Sequence, residues 1–467
     1  MLRPEELEAL LKVFNERWSA LITRYLSDMG DHLADIGELL PSDVNRIVEM
    51  RRMGVNTSRI QSQIAYAARM SREEIAKIFA KVAQSDARFM ERMFGLRRGE
   101  ALASAGLRAA LESQYRVTLG EMENLSRTTV VADGYKNAVD VAVQAVQGGV
   151  QDYQSAIRDA IDSAAAEGLR VKYAGGRSMR LDSAARQNVL DGARSLQQAA
   201  LNALGEELGT DGVEIDAHFL CAEDHLPYQG RQYSNREFAD LQASLTRKIG
   251  QWNCKHMALP VLLGAPPAYS EDQLKEMRRN SAEIIEIDGK KKSRYEWTQE
   301  QRRIETAVRY QKDRGVVAKH AGNMELRRDA QGKINALMGR YEKISEKAGL
   351  HERRSRTYVE GFEHVKLNAK SALKKLSGTI SSDGISISAT EHVIERMQTR
   401  NISVEDIIDS LTKPLDIGKI KVDEFGRPSK QYIGKKATTA VNPENGNVVS
   451  AWPTSSKRAQ KLMEKKE

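Results

Sequence analysis

Soft metal ligands crowd into one short stretch of this sequence. Both cysteines and three of the eight histidines lie between His218 and His256, in the runs His218-Phe-Leu-Cys221-Ala-Glu-Asp-His225-Leu-Pro-Tyr-Gln-Gly230 and Asn253-Cys254-Lys-His256. Cys221, His225, Cys254 and His256 would satisfy a zinc ion, which takes thiolate sulfur and imidazole nitrogen at four tetrahedral positions. Their separations, with three, twenty-eight and one residues between, match no common zinc finger, and His218 offers a further ligand. Two other chemistries suit the same residue types: a hydrogen-bonded polar cluster, and a nucleophilic thiol paired with an imidazole that Asp224 orients. Pro227 and Gln229-Gly230 fit a rigid turn that displays the group.

A second constellation lies near the C-terminus, where His392, Arg396 and Arg400 recur every four residues and so share one helical face. Ser388 and Glu391 have capping-box spacing, and Ser403 with Asp406 opens a second short helix that ends before Pro414. Strand-like runs follow at 417–422, 431–433, 437–442 and 448–452, the last pair joined by Asn445-Gly446, a hairpin signal. On residue types alone, a helix with a solvated basic face is the plain alternative to a catalytic one. The order of helices, antiparallel sheet and a final strand Ser450-Ala-Trp-Pro-Thr454 resembles the nuclease superfamily of barnase, EndoU, colicin-type tRNases and RelE, over residues 385–461. That resemblance carries over to His392, Arg396 and Arg400, then to Tyr432, Thr438, Ser450 and Thr454; Ser450 departs from the expected threonine but keeps a hydroxyl. It implies metal-independent RNA cleavage, with His392 as base or acid, an arginine bracketing the phosphate, and Tyr432 or Thr454 donating to a non-bridging oxygen.

The elements that must carry these groups follow from periodicity. Leu7, Leu10, Leu11, Phe14, Trp18, Leu21, Ile22 and Tyr25 recur at threes and fours, the stripe of an amphipathic helix, and helices are expected over 1–170. Starts are expected at Ser42-Asp43 after Pro41 and at Ser71, whose hydroxyl and the Glu74 carboxylate have capping-box spacing; breaks are expected at Gly30, Gly54 and Gly95. Residues 171–268 turn to glycine, histidine, cysteine and short strands such as Val213-Glu-Ile-Asp-Ala, a small mixed α/β domain. Residues 269–350 read as an exposed, elongated helical arm with a hairpin at Asp288-Gly289. Residues 351–384 read as a linker containing a basic helix, and 385–467 as an α+β domain with an antiparallel sheet. The fold class is thus mainly α at the N-terminus and α+β at the C-terminus.

The acidic-His-x-x-Tyr-Gln-Gly run before Asn253-Cys254-Lys-His256 resembles the minor capsid proteins of tailed phages, related to the Mu gpF-like head proteins. The likeness begins near Tyr173 to Asp182 and extends through Ala268-Tyr269-Ser-Glu-Asp, Ile287-Asp-Gly289 and Tyr295-Glu-Trp297. It implies a low-copy virion protein at the portal or inner shell, with 1–170 docking on the portal or the major capsid protein. The C-terminal module would then travel to the host with the phage DNA and meet RNA or tRNA there, restrained beforehand by an immunity protein. A purely structural virion protein, whose last domain binds nucleic acid or a partner without catalysis, is the competing reading, and a free polymorphic toxin the third.

Composition bounds the rest. The 467 residues suffice for several cores; 40% are hydrophobic and 6% aromatic, a balance that favours soluble helices over an all-β fold. A net charge of +8 is mild for this length and is compatible with attraction to packaged nucleic acid. The N-terminus alternates acids with leucines, so no signal peptide is expected, and no apolar run is long enough for a membrane span. Synthesis in the bacterial cytoplasm with reduced cysteines is the expectation.

Overall fold

A computed structural model describes Leu2 and residues 4–36, 43–130, 153–173, 175–251, 254–365, 369–400, 402–423 and 426–464. Pro41, Ser42 and Asn253 lie outside these residues. The chain divides into two compact units: one of 1–302, 344–351 and 359–361, the other of 303–343, 352–358 and 362–467.

The first unit opens with helices α1 (Pro4–Leu10), α2 (Lys12–Ile36), α3 (Asp43–Phe94), α4 (Glu100–Ala103) and α5 (Ala105–Thr128). After strand β1 (Thr129–Val130) come α6 (Tyr153–Glu167), β2 (Arg170–Lys172), β3 (Ser178–Arg180) and the long helix α7 (Leu181–Glu207). The expected stripe faces the core, broken at Leu11 between α1 and α2: Leu7, Leu11, Phe14, Trp18, Leu21, Ile22 and Tyr25 are buried, and Leu10 half-buried. Gly95 ends α3 with a positive φ, whereas α2 runs through Gly30 and α3 through Gly54. Ser71 starts no helix. It lies inside α3, where its hydroxyl donates to the Ala67 carbonyl at 2.8 Å and accepts from the Trp18 indole at 3.2 Å. Glu74, freed from capping, takes both guanidinium nitrogens of Arg17, at 3.0 and 2.9 Å.

Helix α7 is the axis of this unit, packed against α3 and α5. Close approach depends on Gly192: a Cβ there would sit 2.0 Å from Thr118 Oγ1 and 3.1 Å from both Thr118 Cβ and Phe79 Cζ. The same helix meets a three-stranded antiparallel sheet of β4 (Gly212–Ile215), β5 (Gln232–Ser234) and β6 (Ala258–Val261), ordered β5-β4-β6. Gln198 on α7 brackets Ala258 on β6, donating to its carbonyl and accepting from its amide, each at 2.9 Å. Helix α8 (Asn235–Ser244) follows β5 behind a capping box of Ser234 and Glu237. Helix α9 (Glu271–Ala282) precedes the hairpin β7 (Ile284–Ile287) and β8 (Lys290–Ser293), whose turn places Asp288 and Gly289 at φ 51° and 72°, as the sequence indicated.

Helices α10 (Arg294–His320) and α11 (Met324–Ala348) each contribute to both units. The exposed arm expected from their sparse apolar residues is a packed helical pair. Val308, Val316, Val317, Leu326, Ala330 and Ile334 are buried, and hydrogen-bonded polar groups fill the rest: Tyr341 donates to the buried Glu305 carboxylate at 3.1 Å, and Arg314 pairs with Asp329.

The second unit continues through α12 (Ala369–Leu376), α13 (Glu391–Arg400), α14 (Val404–Thr412), strands β9 (Asp416–Ile417), β10 (Lys421–Val422), β11 (Pro428–Ile433), β12 (Ala437–Val441) and β13 (Val448–Pro453), and α15 (Ser456–Met463). The strands form one antiparallel sheet, ordered β10-β11-β12-β13, with β9 also on β11. One core joins sheet and helices through Leu376, Val393, Met397, Ile407, Leu411 and Tyr432. Because Ala372 and Leu376 belong to that core, α12 is a packed element of this unit. The Ser403–Asp406 capping box forms as expected. The expected box at Ser388 does not, because α13 begins at Glu391 and Ser388 instead donates its amide to Gly446 at 2.9 Å beside the turn after Asn445. The fold class is the expected one, mainly α before and α+β after. Among the described residues, no helix is long and apolar enough to cross a membrane.

Candidate functional site

The Cys/His residues sit at one end of the β5-β4-β6 sheet, on the connection from β4 to β5 and on the segment leading into β6. Val213 pairs with Tyr233 and with Pro260, so β4 holds both flanking strands in register and brings the two loops together. Helix α7 adds a third support, because Arg194 donates to the Cys254 carbonyl at 3.3 Å. Asp224 and Arg247 clamp the loops from outside through a two-pronged pair at 2.8 and 2.5 Å.

Inside, His225, Cys254 and His256 converge, their ligand atoms all within 4.8 Å of one another and all three residues buried. His225 Nδ1 lies 3.1 Å and His256 Nδ1 3.2 Å from Cys254 Sγ. With bonds of about 2.3 Å to sulfur and about 2.0 Å to nitrogen, a tetrahedral ion sets its ligand atoms roughly 3.5 Å apart, so little movement is needed to fit one. Cys221 takes a different place: its Sγ faces the other nitrogen of His256, Nε2, at 3.5 Å and donates to the Ala222 carbonyl at 3.2 Å. His218 stacks on His256 with centroids 4.4 Å apart. Burial, followed by the neighbouring imidazoles His218 and His225, pulls His256 down to about 3; burial, followed by Cys254, pushes the Cys221 thiol up to about 12. Burial also raises Cys254. With Cys254 held as a thiol by burial, the cluster would release a proton when a cation arrives, since ligation requires the thiolate.

The C-terminal residues fall into smaller groups. His392 is exposed on α13, and Arg396 one turn on donates from Nε to its Nε2 at 3.3 Å. Arg400 reaches β13, where NH1 donates to the Ala451 carbonyl at 2.8 Å and to Ser450 Oγ at 3.2 Å. Thr438 and Thr454 pair through their hydroxyls at 2.8 Å, with Thr438 fully buried. Tyr432 is buried and donates its hydroxyl to Asp383 at 2.7 Å, in a group with Ser381 and Lys430. Although burial opposes it, hydrogen bonds from Lys430, Ser381 and Tyr432 hold Asp383 down at about 2, while burial and then the Asp383 bond push Tyr432 up to about 12.

Sequence reasoning did not single out Asp383, Lys430 or Arg247. Arg247 was reachable only through its fold, because it belongs to neither Cys/His run, and Asp383 lies in the stretch read as linker.

Residues 2–343 match the family model of phage minor capsid protein 2. The chain belongs to that family. This phage minor capsid protein is accordingly a structural component of the virion whose partners are other head proteins. No curated protein and no solved structure matches the chain. The family match covers the Cys/His site and ends within α11, before the core built on β11 to β13.

Proposed function

We propose that this minor capsid protein is a low-copy head component at the portal or inner shell, docked through its helical first unit on the portal or the major capsid protein. Its Cys/His loops hold a structural zinc ion. Its C-terminal module is a metal-independent endoribonuclease that enters the host with the DNA and cuts host RNA, tRNA being the natural class, under the restraint of an immunity protein during assembly. The observation that carries the nuclease reading is the composite layout of the chain: residues beyond 343 lie outside the family match and build a helix-and-sheet core that presents His392 beside Arg396 on one exposed helical face.

In this chemistry His392 takes the proton of a ribose 2′-hydroxyl, the 2′-oxygen bonds to the adjacent phosphorus, and the 5′-oxygen leaves with a proton returned to it. Arg396 stabilises the charge that develops on the phosphate. Arg400 acts as a positioning residue through its hold on β13, and the Thr438–Thr454 pair braces the final strand. Incubating the full-length protein with tRNA in magnesium-free buffer tests the reading. Cleavage that disappears in His392→Ala supports it; intact RNA, or cutting that survives the substitution, removes it. The engagement of Tyr432 with Asp383 favours a second reading, in which the module is structural and binds nucleic acid without cutting it.

A further inference from the structure

The atoms that face one another in the Cys/His cluster determine more than the presence of a metal. Resting on the zinc reading above, we infer that the ion has three protein ligands, His225 Nδ1, Cys254 Sγ and His256 Nδ1, with water or another small non-protein ligand in the fourth position and Cys221 outside the coordination sphere.

Neighbouring groups of fixed donor or acceptor type set the hydrogen positions on both rings. The Arg247 carbonyl can only accept, so His225 Nε2, 2.7 Å away, carries a hydrogen, and in the neutral ring, the form that ligates a metal, Nδ1 is the lone pair. The His218 backbone N–H can only donate, and it lies 3.3 Å from Gln229 Oε1, which fixes that oxygen as the end of the amide facing the cluster. His256 Nε2, also 3.3 Å from Gln229 Oε1, is therefore the protonated nitrogen, and its Nδ1 is a second lone pair.

Both lone pairs aim at the same sulfur, at 3.1 and 3.2 Å. A thiol has one hydrogen and can satisfy one of them, leaving the other buried against sulfur lone pairs. A cation between the three atoms, with Cys254 as thiolate, satisfies all of them at once. The same hydrogen positions exclude Cys221. It lies on the N–H side of the His256 ring, and an imidazole that ligates through Nδ1 directs its Nε2 hydrogen away from the metal. His218 is left out on distance: its Nδ1 donates to the Phe219 carbonyl at 2.9 Å, which leaves Nε2 a buried lone pair, but His218 is not among the three residues whose ligand atoms all lie within 4.8 Å of one another. Gln229 and the Arg247 carbonyl thus act as the outer partners that orient the two ligating rings.

Zinc X-ray absorption on the full-length, unmodified protein counts the scatterers directly. One sulfur with three nitrogen or oxygen neighbours is expected; two sulfurs overturn the ligand set. In cobalt-loaded protein, Cys221→Ser keeps the full thiolate-to-cobalt band and Cys254→Ser loses it. Loss or halving of the band in Cys221→Ser overturns the ligand set while leaving zinc binding intact. A folded, unmodified protein that contains no metal after growth in zinc-supplied medium, and takes up neither ion, overturns the zinc reading itself.

Discussion

Asp86 on α3 gives this protein a pH-dependent weakness whose size can be worked out. The residue is 2% exposed, one carboxylate oxygen accepts from Gln197 at 3.2 Å, and the other has no hydrogen-bond partner. Burial is the largest influence and raises its pKa from 3.8 to about 6. The sign follows from proton counting. Below the unfolded value both states hold the proton and Asp86 costs nothing; as pH rises toward the folded value the unfolded chain ionises first, so stability falls and then levels off above it. A shift of about two units corresponds to roughly 3 kcal/mol, lost between about pH 4 and about pH 6. Asp86→Asn keeps the acceptor for Gln197 and cannot ionise. Its own cost, an unpaired amide in place of the bare oxygen, is the same at every pH. Urea unfolding followed by the helical circular dichroism of variant and parent should therefore show the variant gaining roughly 3 kcal/mol on the parent between about pH 4 and about pH 8. An equal difference at the two pH values would refute the burial argument, whatever its sign.

Further outcomes follow from the same geometry. Gly192→Ala should lower the melting temperature by an overlap cost of about 1–3 kcal/mol, and adding Thr118→Ala should recover most of it, because the Thr118 hydroxyl is buried without a partner; a Gly192→Ala protein as stable as the parent contradicts the close packing of α7. Arg400→Ala should cost the second unit about 1–2 kcal/mol through loss of its bonds to Ala451 and Ser450, with Arg400→Lys a poor replacement; an unchanged melt for both denies Arg400 its positioning role. Chelation should destabilise the first unit by about 4 kcal/mol relative to free zinc at a thousandfold excess over its dissociation constant, reversibly on zinc addition; indifference of the melt to chelator and zinc counts against the staple between the two loops.

Much of the fold was written in local pattern. The α2 stripe, the Asp288-Gly289 turn, the Ser403 capping box and the β12 to β13 hairpin depend on neighbours in sequence, where periodicity and turn chemistry operate. The misreadings arose where a tertiary partner decides. Ser-x-x-Glu spacing also places two side chains on adjacent turns within a helix, and at Ser71 the buried Trp18 indole and the Arg17 guanidinium claim both groups. Glycine in a helix costs about 1 kcal/mol, too little by itself to break α2 at Gly30 or α3 at Gly54. The apparent arm looked exposed because Glu305, Arg314 and Tyr341 are polar, yet all three are buried, Tyr341 bonded to Glu305 and Arg314 paired with Asp329. At the candidate metal site the residue types were legible, and the structure brings three of the four together. The place of Cys221 was not, because it depends on the Arg247 carbonyl and the Gln229 amide orienting the rings.

Quantitative mass spectrometry of purified particles from the phage that encodes this chain decides whether it is a low-copy head protein with its C-terminal module attached. The intact polypeptide is expected inside the head, including peptides from residues 369–464, at a copy number near that of the portal and far below that of the major capsid protein. Particles that lack the chain, or that contain only its first 343 residues, would contradict a head protein that carries its C-terminal module into the virion.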